Sequence, residues 1–247
     1  MKVLATYNIK GGVGKTATAV NLAHAAAGQG AKTLVWDLDP QGAATWYFRS
    51  TAKVYGGGRA ALRGTSELRE LVQSTEYPNL DILPADFSYR NLDLVLDERK
   101  KPTRRLAKLV GTLDGAYDYL FLDCPPSISL VSENVFCAAD ALLVPLVPTP
   151  LSERTLDQLS CFLDRPRWRR LALLPFFSMV DRRKRLHRDL VDDLGRRWPG
   201  MLQAQVAAAV DVERMGLHRS PVAVFAGRSR SCAAFEALWH EVEARLS

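Results

Sequence analysis

Seven consecutive residues, Lys10 to Thr16 (KGGVGKT), have the types and spacing to hold a row of phosphates. Glycines leave backbone N–H groups free to face anionic oxygens, Lys15 can place a point charge on the β- and γ-phosphates, and the Thr16 hydroxyl can meet Mg2+. Read more plainly, the run is a glycine turn before a helix. The general pattern G-x-x-x-x-G-K-[ST] is not met, because Ile9 stands where its first glycine belongs. What the run has instead is a second lysine, Lys10, and one lysine is all a phosphate loop ordinarily needs.

Three carboxylates have the right setting to join it. Asp37 and Asp39 close the apolar run TLVWDLD, and Asp123 closes YLFLD before the double proline of PPS. A carboxylate at the C-terminal end of a buried strand, beside a phosphate loop, sits where Mg2+ or an attacking water must be held. The same residues could cap a turn before Pro40 or serve as buried structural acids.

The elements that must position these groups are readable from the pattern. Short β-rich runs at about 2–8, 32–38, 80–84, 117–123, 141–147, 171–179 and 202–208 alternate with helical stretches at about 15–28, 66–74, 89–98, 103–112, 129–138, 152–164, 184–197 and 231–246. Such alternation predicts a three-layer α/β/α fold with a mostly parallel, twisted sheet of about seven or eight strands. A chain of 247 residues with 47% hydrophobic and 24% charged residues is globular in composition, and residues 1–247 are expected to form one domain. Arg49 to Gly64, with three consecutive glycines, is expected to be a mobile loop. The four cysteines are scattered without a C-x-x-C pair, which argues against a zinc or iron–sulfur site and for reduced thiols in the cytoplasm. No apolar window is long enough for a spanning helix, and the N-terminus lacks a signal peptide's apolar segment.

KGGVGKT resembles the deviant Walker A motif of the ParA/MinD family of P-loop ATPases. DLDPQGAAT (Asp37 to Thr45) and LDCPPS (Leu122 to Ser127) are similar to the next two motifs of its ParA branch. The resemblance implies that Gly11, Gly12, Val13, Gly14, Lys15, Thr16 and Ala17 bind ATP. It further implies that Thr16, Asp37 and Asp123 serve Mg2+, and that Asp39 orients the hydrolytic water. Lys10 would reach across a nucleotide-sandwich homodimer to the partner's phosphates, as a trans arginine finger does. Many relatives carry a second threonine after Thr16 where this chain has Ala17, so one hydroxyl to the α-phosphate is absent. By the same resemblance, the base would lie against the segment after a late strand, where Ser178, Met179 and Asp181 could line it. Met179 reads as ordinary core ahead of that role.

The remaining signals concern partners. Arg182, Arg183, Lys184, Arg185 and Arg188 put five cations in seven positions, and RPRWRR at Arg165 to Arg170 adds four. Like charges so concentrated suit a phosphate backbone bound without sequence preference, and the family resemblance implies that Arg219, Arg228 and Arg230 extend the patch. A solvated surface is the plainer explanation. The first strand is expected to begin at about residue 2, so no added N-terminal helix-turn-helix domain is expected. The family resemblance implies a weak, partner-stimulated ATPase that binds DNA when dimeric and positions a chromosome, plasmid or other cargo with a ParB-like activator, in the cytoplasm and on the nucleoid. Two rivals share the fold: a MinD-like membrane-associated regulator, and a metabolic enzyme or reductase. The terminal helix carries Phe235, Leu238, Trp239, Val242 and Leu246 opposite Glu236, Glu241 and Glu243, which suits core better than an anionic bilayer. A reductase would need placed cysteines, and an amidating enzyme would ordinarily bring a glutaminase domain.

Overall fold

The structure is a computed structural model that describes the whole chain except Tyr55, Arg63, Gly64, Arg99, Lys100 and Ser247, and the side chains of residues 65–67. Eight strands form one sheet: β1 (Lys2–Thr6), β2 (Thr33–Asp37), β3 (Gln73–Ser74), β4 (Leu80–Leu83), β5 (Tyr119–Asp123), β6 (Ala141–Leu146), β7 (Ala172–Val180) and β8 (Gln205–Ala207). Their order is β3-β4-β2-β5-β1-β6-β7-β8. Every pairing is parallel except the short β3 against β4.

Strand side chains alternate between two cores, as a sheet covered on both faces requires. Val3, Ala5, Leu34, Trp36, Leu120, Leu122, Leu142 and Val144 join one buried cluster, whereas Leu4, Val35, Phe121 and Leu143 join the other. The first cluster is closed by α3 (Gly57–Ala61), α4 (Thr65–Glu70), α5 (Leu92–Asp97), α6 (Arg105–Val110), α7 (Leu130–Ala138), α8 (Pro150–Leu163) and α9 (Arg185–Arg197). The second is closed by α1 (Lys15–Gly28), α2 (Ala43–Tyr47), α10 (Val210–His218), α11 (Val222–Ala226) and α12 (Arg230–Leu246). The three layers and all seven expected strands are therefore present.

Four helices have no counterpart in the periodicity: α2, α3, α10 and α11. Three of them are five residues long, too short to show a 3.6-residue repeat. In α10 only Met215 is buried, so no apolar stripe marks it. The stretch expected as a mobile loop, Arg49 to Gly64, contains α3, and its Val54, Ala61 and Leu62 are buried in the first core. Tyr55, Arg63 and Gly64 of that stretch lie outside the described residues.

α12 settles the reading of the terminal stripe. Phe235, Leu238, Trp239 and Val242 are buried, and Trp239 packs edge-on against Tyr119 at 4.9 Å and donates its Nε1–H to Gln29 at 2.8 Å. The helix turns its apolar face to α1 and the sheet. Among the described residues no helix is long and apolar enough to cross a membrane.

Candidate functional site

β1 lies between β5 and β6, and β5 lies between β1 and β2, so three strands carrying site residues end side by side. The register is exact enough to pair Thr6 with Asp123 and Asp37 with Asp123 across the sheet. The phosphate loop leaves β1 at this edge and enters α1, which is the position where open α/β sheets bind ligands.

The loop is held by its own neighbours. Asn8, buried, donates to the Pro145 carbonyl at 2.8 Å and accepts the Lys10 amide at 2.9 Å, fixing the start of the loop to β6. Gly14 has φ +96°, and a Cβ there would stand 2.8 Å from Ser178 Oγ, so only glycine fits the point where the loop turns into α1. The Lys15 ammonium is buried and donates to the Lys10 carbonyl at 3.2 Å, folded back over the loop. Burial lowers its pKa, and the charge of Asp123 opposes that shift. Lys10, half-buried on the rim, makes no ion pair among the described residues.

The carboxylates divide by their partners. Asp123 is fully buried; its Oδ1 accepts the Thr6 hydroxyl at 3.2 Å, while Oδ2 has no hydrogen-bond partner among the described residues. Burial, and then the neighbouring charge of Asp37, holds Asp123 well above the ordinary carboxylate range, with Thr16 pulling the other way. Asp37 is also fully buried. Of this residue, expected among those that serve Mg2+, Oδ2 accepts the amide and hydroxyl of Thr45 at 2.8 and 2.7 Å, and Oδ1 accepts the Asp39 amide at 3.2 Å. Asp37 thus anchors the turn that carries Asp39, and burial pushes its pKa up to about 6. Asp39 is half-buried, and its Oδ1 accepts the Gln41 amide at 2.9 Å.

These groups fit a divalent cation. A buried carboxylate oxygen without a partner, with a second buried carboxylate and a threonine hydroxyl beside it, is stabilised when positive charge arrives. Among the described residues no three His, Cys, Asp or Glu side chains form a metal-binding group. That donor set matches Mg2+ coordinated largely by phosphate and water, with few protein ligands.

The loop faces a cleft of about 340 Å³ that also touches Asp39, Tyr47 and Pro126. Its far end, beyond β7 and β8, is lined by Met179, Ala207, Ala208, Ala209, Val212, Glu213 and Phe235. Met179 is 41% exposed with φ +55°, at the end of β7, so it belongs to the cleft and not to the core. Ser178 is buried beside Gly14 and also lines the cleft. Asp181 pairs with Arg183 at 2.9 and 3.0 Å, which holds its carboxyl down to about 2, and it does not line the cleft. Sequence reasoning missed the alanines after β8, Val212 and Glu213, because no residue type among them signals a ligand. Asn8 had a signal: an Asx-type side chain just before a glycine cluster.

The basic residues separate. Arg182, Arg183, Lys184, Arg185 and Arg188 are exposed at the start of α9, on the edge where the cleft opens. Arg165 to Arg170 precede β7 and so lie at its opposite end, roughly 25–30 Å away across nine strand residues. Arg167 pairs with Glu133 at 3.3 Å and stacks on Trp168 at 4.4 Å. The two runs do not form one patch. Arg228 is exposed between α11 and α12. Arg219, expected among the DNA contacts, stacks on Trp46 at 3.9 Å and donates Nε–H to the Trp46 carbonyl at 3.2 Å.

A family model described as an AAA domain matches residues 1–169. The chain is 33% identical to the chromosome partitioning protein ParA of Caulobacter vibrioides over 208 residues, covering 78% of this chain and 75% of that one. It is 28% identical to the sporulation initiation inhibitor protein Soj of Bacillus subtilis over 252 residues, covering 98% of each. Among solved structures, cobyrinic acid a,c-diamide synthase of Mycobacterium smegmatis, with bound ADP and magnesium, matches with a TM-score of 0.82 at 25% identity, over 97% of this chain and 93% of that one. A putative plasmid partition protein of Borrelia burgdorferi bound to AMPPNP matches at 0.80 over 99% of both chains, and at 22% identity that likeness is one of fold. By the family model and these relatives, the chain belongs to the ParA/MinD family of ATPases, on its ParA branch.

Proposed function

We propose that this single-domain chain binds ATP with Mg2+ in the cleft and uses it as a switch for dimerisation, DNA binding and cargo positioning. The observation that carries the reading is the division of labour between the two lysines: Lys15 is folded over its own loop, while Lys10, half-buried on the rim, has no ion pair among the described residues. Backbone amides of residues 11–16 cradle the phosphates, with Lys15 charging the β/γ oxygens. Thr16 and Asp123, with the charge of Asp37 behind them, would hold Mg2+, which neutralises charge developing on the phosphates. Asp39 orients the attacking water from the turn that Asp37 anchors. Lys10 completes the site of a second copy, so loss of the γ-phosphate removes what holds the dimer together. Hydrolysis is slow until an activating partner, such as a ParB-like protein, binds. Met179 and the alanines after β8 receive the base.

Arg182, Arg183, Lys184, Arg185, Arg188 and Arg228 offer exposed charge to DNA on the nucleoid, in the cytoplasm. The cargo is a chromosome, a plasmid or another large body. The MinD-like rival loses its membrane helix to the core, and the metabolic rival rests on a shared fold. Filter binding with duplexes of unrelated sequence, using an Asp39→Ala chain that retains ATP, should show binding with ATP and none with ADP. Capture by anionic vesicles in place of DNA would overturn the reading.

A further inference from the structure

We propose that Trp46, Arg219 and Arg49 form a clasp that ties the helix lining the base end of the cleft to the turn carrying Asp39, so that hydrolysis depends on how the base end is filled. The inference rests on the ATPase reading above and assigns positioning residues to it. α2 is a short element of five residues with no side-chain cap at its start; its inner side is held where buried Thr45 meets Asp37 and the Ala85 amide, while Trp46 on its outer side is exposed. It is also continuous with the switch turn, since the Gly42 amide donates to the Asp39 carbonyl at 2.9 Å and Thr45 is held by Asp37. Whatever fixes α2 therefore fixes Asp39.

A second tie, on the exposed side of α2, comes from α10. Val212 and Glu213 in its first turn line the base end. Its last turn meets α2: Trp46 Nε1 donates to the Gly216 carbonyl at 3.2 Å, Arg49 donates to the His218 carbonyl at 3.1 Å, and Arg219 donates to the Trp46 carbonyl at 3.2 Å. The Arg219 guanidinium lies 3.9 Å from the Trp46 ring centroid, a cation–π contact. Both arginines hold left-handed backbone conformations, φ 55° at Arg49 and 49° at Arg219, which persist where surrounding contacts over-determine them. Trp46 is 51% exposed, so the clasp is a surface fastening and its removal opens no core cavity. α10 thus spans nine residues with one end on the base and the other on the switch.

The test compares Trp46→Ala, Arg219→Ala and the double variant with the parent chain, without DNA or partner, so that any DNA role of Arg219 stays silent. We expect kcat for ATP to fall about tenfold in each single variant with ATP affinity within about twofold, and the double variant to be no worse than either single one. Arg219→Lys should recover part of kcat, because it keeps the cation and loses the planar fork. The parent should hydrolyse ATP faster than ribose 5-triphosphate, and the variants should lose that difference. Amide hydrogen exchange at residues 43–47, with and without AMPPNP, should accelerate in the variants while residues 15–28 keep their protection. Unchanged kcat or unchanged exchange at residues 43–47 would overturn the clasp. A parent chain that neither binds ATP nor turns it over even slowly would sink the ATPase reading, and the exchange data would still decide the clasp.

Discussion

Two residues at the phosphate edge show how a site is held at a cost to the fold. At Gly14, positive φ and the nearness of Ser178 Oγ at 2.8 Å both exclude a Cβ. Gly14→Ala should lower urea-unfolding stability by about 1–3 kcal/mol and abolish fluorescent-ATP binding; adding Ser178→Ala should recover only the steric part of the stability, because the backbone strain remains. Asp123 has a folded pKa raised by burial and by Asp37. Its ionisation therefore costs stability as pH rises above the ordinary carboxylate range, and that cost is absent below it. Asp123→Asn should stabilise the nucleotide-free, Mg2+-free chain, by more at pH 8 than at pH 4, in parallel urea titrations. The same variant should lose ATP hydrolysis by about a hundredfold or more.

At the scale of elements, β7 decides the charge distribution. It separates Arg165 to Arg170 from Arg182 to Arg188 by its full length, so the two runs cannot neutralise one stretch of DNA together on one edge. Replacing Arg182, Arg183 and Arg185 by Ala should weaken ATP-dependent DNA binding across unrelated sequences and reduce the salt slope by about 0.9 for each phosphate no longer neutralised. The same change at Arg167, Arg169 and Arg170 should leave the slope unaltered. Salt titration by fluorescence anisotropy distinguishes the two sets, and equal effects would restore a single patch. α12 makes the converse point: a helix whose stripe could suit a membrane is core, because α1 and the sheet cover it.

For the whole molecule, the complete active site is argued to need two chains. Lys10→Ala should leave monomer nucleotide binding largely intact while ATP no longer shifts the chain to a dimer in light scattering, and hydrolysis falls with it. Dimerisation that survives the change would end the trans role. The fold supports this arrangement by opening the cleft at the C-terminal edge of the sheet, where Lys10 stands on the rim.

The sequence by itself determined the phosphate loop, the three carboxylates, seven of the eight strands and the family resemblance. Each of these depends on residues within a few positions of one another: a strand running into glycines and then a helix, or a strand ending in aspartate. Only the tertiary structure decided what depends on strand order and crossing helices. Asp37 meets Asp123 because β2 pairs with β5, and Arg219 meets Trp46 across 173 residues because α10 crosses back to α2. The far end of the cleft, lined by alanines at and after the end of β8, carries no chemical signal along the chain and exists only once β8 lies beside β7. Short helices such as α2 escape periodicity altogether, since five residues complete barely more than one turn. Their positions are set by contacts between segments far apart in sequence.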